Sequence, residues 1–312
     1  MVKKLQTDLL DFKKFIKSRK LEDWQTIQAV EKFFLKKRGY VFKEPKPGTP
    51  VVLLLSGGID STVAWHYLTF VKKLDVYPLY LHRGTKRWRK EKAAVNYFSK
   101  FYQKIFPQGK FHQPKEYTTA LPTKEMESLA KNIETKLHPS FLFEGLDKKG
   151  VSHIDIFGTT PYLFAFFGVN YAKELYYTQK LDIKHVFCTV AVGDGRAVPS
   201  QTFTALRTTM LGICSALAEW DWNFASIAFE KEMNSFMTKA DLIAYGMKNK
   251  LPLGKTWSCY LSGWYQCGNK CLTCESRQRE FAVAGYEDPT NYWPKTLIYR
   301  LAKQVKELMM KA

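Results

Sequence analysis

The chain has 312 residues, 46% hydrophobic and 15% aromatic, enough to bury a full core and too apolar for a disordered polymer. It carries 48 Lys and Arg against 29 Asp and Glu, a net +19, which suits polyanionic partners such as nucleotide phosphates or nucleic acid, and equally suits a lysine-rich solvated surface. No apolar run reaches the ~18 residues of a membrane helix and Met1 to Asp8 lacks a signal-peptide core, so no membrane partner and a cytoplasmic location are expected.

In chain order, residues 5–18 and 23–38 set apolar side chains at helical spacing, the second run ending at Gly39. Residues 1–47 hold thirteen basic and six acidic side chains. The stretch from Lys43 through Pro45 and Pro47 to Pro50 reads as a linker. Residues 1–46 are therefore expected to form a basic helical extension, dispensable for chemistry and offering a surface to nucleic acid. From residue 51 the pattern alternates strand and helix. Strands are predicted over 51–55, 75–81, 154–157, 185–192 and 224–229, with helices starting near 62 and spanning 88–106, 161–178 and 202–219. Residues 83–104 carry eight bases against Glu91 alone, and 107–150 read as a partly helical insertion on the substrate side. The fold class is α/β, a doubly wound parallel sheet over 47–255 with ligands at the carboxyl ends of its strands, followed by a zinc-binding segment and C-terminal helices over 256–312.

Between the first strand and first sheet helix stands Ser56-Gly57-Gly58-Ile59-Asp60-Ser61. Strand, glycine turn and helix start together aim backbone N–H groups and a positive dipole end at a phosphate. The glycines permit close approach and unusual dihedrals, and the serines add donors. Asp60 is out of place beside a phosphate unless it holds Mg²⁺ or orients the loop. No Gly-Lys-Ser/Thr follows, which excludes the Walker loop. An ordinary glycine turn is the plainer alternative. The segment resembles the PP-loop of the N-type ATP pyrophosphatases, whose fold is adenine nucleotide alpha hydrolase-like and which activate a carboxylate or carbonyl oxygen as its adenylate.

Six cysteines are present, and Cys259, Cys267, Cys271 and Cys274 fall within sixteen residues. Four thiolates so close can close a tetrahedral structural Zn²⁺ site with no open position. A redox or nucleophilic pair is the rival reading. Cys188 and Cys214 lie in apolar surroundings and read as core.

Thr256-Trp257-Ser258-Cys259-Tyr260, the spaced cysteines, and Phe281 through Gly285 to Thr290 together resemble the C-terminal signature of the 7-cyano-7-deazaguanine synthase (QueC) family. Met237-Thr238-Lys239-Ala240-Asp241-Leu242-Ile243 with Gly246 is similar to that family's preceding helix, and Gly84-Thr85 through Arg87 to Glu91 to its Tyr-Gly-Gln-Arg-His-x-x-Glu segment with one residue inserted. The likeness spans roughly 51–292. It departs in three places. Gly268-Asn269-Lys270 puts three residues where the family has two between cysteines, and Gly158-Thr159-Thr160-Pro161 lacks the family's arginine. Asp194 to Pro199 keeps the spacing of the family's Asp-Tyr-Ser-Gly-Tyr-Pro, but Ser200-Gln201-Thr202 replaces Asp-Cys-Arg.

The resemblance implies an ATP-dependent ligase that turns 7-carboxy-7-deazaguanine and ammonia into the nitrile through the amide. Leu55, Ser56, Gly57, Gly58, Asp60, Ser61 and Thr62 would hold pyrophosphate and Mg²⁺, with Asp60 and Ser61 catalytic, and Leu81 would offer backbone atoms to adenine. Asp194 would read the deazaguanine N–H edge, although an ordinary loop aspartate explains it nearly as well; Arg87 and Arg196 are candidates to neutralise phosphate or carboxylate, each equally readable as surface charge, and Arg196 and Arg207 are candidates to compensate for the missing pocket anchors. Two alternatives stay open: a pyrophosphatase that stops at the amide or acts on a tRNA or protein, and a non-catalytic zinc protein that binds nucleic acid. A homodimer is also left open.

Overall fold

Two apolar segments with too few polar positions to face water seed the sheet. Pro50–Leu55 (β1) and Asp75–His82 (β2) pair in parallel, Pro50 opposite Asp75 through Leu55 opposite Tyr80, and nearly every side chain is buried on both faces. The computed structural model describes residues 9–82, 87–119, 160–194, 198–259, 264–268 and 271–292. Lys115–Thr118 (β3), His185–Cys188 (β4) and Asn223–Ser226 (β5) extend the parallel sheet, and Phe229–Glu230 (β6) and Ser235–Phe236 (β7) close one edge as an antiparallel hairpin. The order is β3-β2-β1-β4-β5-β6-β7. Strand order reverses between β1 and β4, so the chain leaves these two neighbours in opposite directions and opens a crevice at their carboxyl ends.

The helices are Leu9–Lys17 (α1), Trp24–Arg38 (α2), Ile59–Phe70 (α3), Trp88–Ile105 (α4), Thr160–Gln179 (α5), Phe203–Leu217 (α6), Lys239–Lys248 (α7) and Leu272–Val283 (α8). Helices α3, α4 and α7 pack as one group, and α5, α6 and α2 as another. At Gly168, α5 comes so close to the sheet that a Cβ would lie 2.5 Å from Val186 Cγ1. No described helix is long and apolar enough to cross a membrane.

Four expectations are corrected. Residues 115–118 form edge strand β3 rather than part of an insertion. The strand expected over 224–229 ends at Ser226, where Ile227 and Ala228 turn the chain into the β6–β7 hairpin. The strand expected over 185–192 ends at Cys188, because β5 supplies no ladder partner beyond Ser226. The front helices are not a detachable extension. Phe12, Ile16, Ile27, Val30 and Phe34 belong to the same hydrophobic core as the sheet, and the Phe12 ring stands edge-on to Phe203, 4.9 Å away.

Polar bonds tie the front down further. The Glu22 carboxylate accepts from Phe203 N and Thr204 N at 2.7 and 2.9 Å, capping α6 from the connection between α1 and α2. Glu31 accepts from Arg207 Nε at 2.9 Å, while Arg207 also makes two bonds, 2.7 and 2.8 Å, to the buried carboxylate of Glu230. The supposed linker is anchored too: Val41 and Phe42 just before it are buried, Pro45 is buried, and the Lys43 carbonyl meets His185 Nε2 at 2.7 Å. The strand expected over 154–157, the insertion beyond 119 and the helices beyond 292 lie outside the described residues.

Candidate active site and metal centre

The loop after β1 turns on one glycine. Gly57 has φ +75°, and a Cβ there would sit 2.5 Å from the Glu91 carbonyl, so only glycine fits. Ser61, in the first turn of α3, receives a bond from Ser56 N at 3.1 Å and lies 3.0 Å from Ser56 Oγ, closing the loop on itself. Gly58 caps α3 without a side-chain acceptor. The first N–H groups of that helix are therefore left for a ligand, where the helix dipole favours an anion. Leu55 and Thr62 are buried behind the loop. Leu81 lies one residue beyond the β1–β2 ladder and pairs with Tyr117 on its other side.

Asp60 meets residues from distant parts of the chain. One oxygen lies 3.3 Å from Lys239 Nζ, and Lys239 in turn lies 3.6 Å from Asp194. Lys239 is the first residue of α7, fixed by a capping box in which Thr238 and Asp241 bond each other's backbone. Asp194 is held by Ala191 N–H at 2.8 Å. Burial raises the Asp60 pKa; Lys239 opposes the rise, Asp194 adds to it, and Arg277 opposes it more weakly. The second Asp60 oxygen is buried with no hydrogen-bond partner among the described residues. A bare carboxylate oxygen in that position suits a hard divalent cation.

The four cysteines converge, with all four sulfurs within 4.8 Å of one another. Cys267 to Cys271 is 3.4 Å and Cys271 to Cys259 is 3.9 Å. A tetrahedral ion with ~2.3 Å metal–sulfur bonds needs sulfur–sulfur edges of about 3.8 Å. The donor set therefore fits a metal. Without one the thiols compete for protons: the other three sulfurs drive Cys271 toward the thiolate, and Cys267 and Cys274 are held protonated. Burial pushes Cys188 up to about 12 and Cys214 up to about 11, in keeping with core thiols.

The cysteine segment is bonded to the phosphate-type loop. Trp257 N–H donates to the Gly57 carbonyl at 2.9 Å. Buried Arg277, three residues after Cys274, donates to Thr256 Oγ1 at 2.7 Å, Ser258 Oγ at 3.1 Å and the Leu253 carbonyl at 2.8 Å, and pairs with Asp288 at 3.1 Å. Neither Lys239 nor Arg277 stands out in the sequence as a site residue. Helix-capping residues around Lys239, and the i+3 step from Cys274 to Arg277, are the signals that were there to find.

Other expected residues go elsewhere. Arg207 is sealed in its ion pair with Glu31 and Glu230 and offers nothing to a ligand. Arg87 pairs with Glu91 at 2.7 Å. Thr202 caps α6 by accepting from Ala205 N–H at 3.0 Å. Arg196 and the Gly158-to-Thr159 segment lie outside the described residues.

The family model described as "Queuosine biosynthesis protein QueC" matches residues 169–285, a narrower span than the motifs suggest. The chain is 47% identical over 55 residues to the 7-cyano-7-deazaguanine synthase of Rhizobium rhizogenes, covering 18% of this chain and 23% of that protein. It is 40% identical over 75 residues to the enzyme of Sinorhizobium fredii (22% and 31%) and 48% identical over 56 residues to that of Methanothrix thermoacetophila (18% and 25%). The matched regions thus span less than a third of these relatives' length. Among solved structures, a predicted subunit of tRNA methyltransferase from Methanocaldococcus jannaschii aligns at 13% identity and TM-score 0.33, over 67% of this chain and 92% of its own. The U34-tRNA thiolase NcsA of Methanococcus maripaludis with its [4Fe-4S] cluster aligns at 12% identity and TM-score 0.36, over 83% and 73%. At those scores neither bears on activity. Over residues 169–285, from within α5 to just past α8, the chain is similar to the QueC family.

Proposed function

We propose that this chain is an ATP-dependent ligase that converts 7-carboxy-7-deazaguanine and ammonia to 7-cyano-7-deazaguanine in deazapurine biosynthesis. ATP adenylates the carboxylate with loss of pyrophosphate, ammonia displaces AMP to give the amide, and a second adenylation of the amide oxygen drives its dehydration. The observation that carries the reading is the Asp60–Lys239–Asp194 chain at the mouth of the Gly57 loop, with one buried Asp60 oxygen left bare. It joins an anion cradle to a charged substrate side, as adenylation of a carboxylate requires.

In this reading the loop N–H groups and the Ser56 and Ser61 hydroxyls hold pyrophosphate. Asp60 would hold Mg²⁺ through its bare oxygen, and the ion would supply positive charge to offset that of the phosphates. Lys239 sets the ionisation of Asp60 and lies beside the developing phosphate charge. Asp194 offers its carboxylate to the deazaguanine N–H array, and Leu81 its backbone to adenine. Cys259, Cys267, Cys271 and Cys274 would hold a structural zinc, and the quartet suits a reducing compartment such as the cytoplasm.

The test is product mass after incubating the full chain with ATP, Mg²⁺, ammonia and the carboxylate. A nitrile supports the whole reading, and accumulation of the amide supports only its first half. No binding of the carboxylate at millimolar concentration, with pyrophosphate still released on a tRNA or protein acceptor, would replace it.

A further inference from the structure

The most exposed large apolar side chain among the described residues is Trp264, at 86%. It stands three residues before Cys267, and a cation from another element lies against it. Lys90 Nζ of α4 lies 5.4 Å from the Trp264 ring centre, 5.7 Å from that of Trp257, and 3.5 Å from the Trp264 carbonyl. The pattern continues along α4. Arg89 lies 5.5 Å over Trp88, and Lys255 lies 5.7 Å from exposed Tyr97. Arg89, Ala93, Tyr97, Lys100 and Lys104 are exposed at steps of four, four, three and four residues, a single face of the helix. The one acid in α4, Glu91, is buried and paired with Arg87, so this face carries no negative side chain.

A protein-docking patch is depleted of charge at its centre. This surface instead sets a cation beside exposed Trp264 and Tyr97 and half-buried Trp88, which is what base stacking combined with phosphate pairing requires. Stacking needs unpaired bases, whose faces a duplex hides; folded RNA presents them in its loops. We infer that the exposed face of α4, with Trp264 at one end, is a docking track for single-stranded RNA. This surface is separate from the front helices, and the inference stands independently of the ATP chemistry proposed above.

The test is fluorescence anisotropy of the full chain against a labelled unpaired RNA of about 12 nucleotides, within the ~4–16-nucleotide footprint of such tracks. Trp264→Ala should weaken binding about 5- to 100-fold, the loss of one base stack. Lys100→Gln should make the salt dependence shallower by about 0.7 in log–log slope. Both should leave the Tm of the chain unchanged, which separates loss of the surface from loss of the fold. If Trp264→Ala folds poorly, Lys100→Gln with Lys104→Gln carries the test. The inference fails if RNA does not bind at ~50 mM salt, if neither variant alters binding, or if a duplex or single-stranded DNA of the same sequence binds more tightly. It also fails if Trp264→Ala instead abolishes self-association, since the occupant would then be a second copy of the chain.

Discussion

Replacing Lys239 by methionine isolates the electrostatics of the site. The substitution keeps the apolar stem and removes the charge 3.3 Å from Asp60 and 3.6 Å from Asp194. Burial already raises the Asp60 pKa, and Asp194 pushes the same way; Lys239 is the main opposing charge, with Arg277 behind it. An opposite charge at this range lowers a carboxyl pKa by about 1–3 units, so its loss should raise Asp60 by about that much. If Asp60 must be ionised to take a cation, the acidic limb of kcat/KM for pyrophosphate release moves about 1–3 units alkaline, and activity within that window falls about tenfold per unit. Lys239→Arg should bring the limb back. Where turnover is too slow to follow, the pH dependence of Mg²⁺–ATP binding reads the same limb. A profile depressed equally at every pH, or one displaced to lower pH, would refute the assignment of Lys239 as the residue that sets Asp60.

Asp60→Asn should abolish pyrophosphate release yet raise the Tm of the ligand-free protein at neutral pH. A carboxyl whose folded pKa is raised costs stability once ionised, so the gain should fade as pH falls below that folded pKa. Cys259→Ser should abolish stoichiometric metal content by elemental analysis and lower Tm, because a structural site contributes folding energy; an unchanged Tm with metal absent in wild type would count against the metal centre. A chain starting at Thr49 should fail to fold, and in the intact chain Phe12→Ala should cost ~3–5 kcal/mol in urea melts. A stable, active truncation would contradict the shared core. Gly57→Ala should lose ATP turnover, since its Cβ would meet the Glu91 carbonyl at 2.5 Å; wild-type rates would mean the loop is not where ATP binds.

The sheet helices and buried strands were legible because their apolar periodicity is local, as in Val51 to Leu55 and 203–217. The β6–β7 hairpin was not, because strands of two residues carry no periodicity. Prolines at 45, 47 and 50 suggested a loose linker, but Val41 and Phe42 just before them are core residues. The amphipathic faces of α1 and α2 declared helices without declaring what covers them; the covering surface is α6 and the hairpin edge, far along the chain at Phe203 and Phe236. A lone arginine in the apolar run from Phe203 to Leu217 was the hint that Arg207 answers buried acids rather than a ligand. The cysteine quartet was readable because its members lie within one short segment. The Asp60–Lys239–Asp194 chain was not, because three separate elements bring it together.

The hydrogen bond from Trp257 N–H to the Gly57 carbonyl makes two binding events share one piece of backbone. A metal held by the cysteines would help order Trp257, and a nucleotide held by the loop would help order Gly57, so each would lower the entropic cost of the other. Such coupling is reciprocal. A chain depleted of metal should therefore hold nucleotide more weakly, and a chain saturated with nucleotide should surrender its metal to a chelator more slowly.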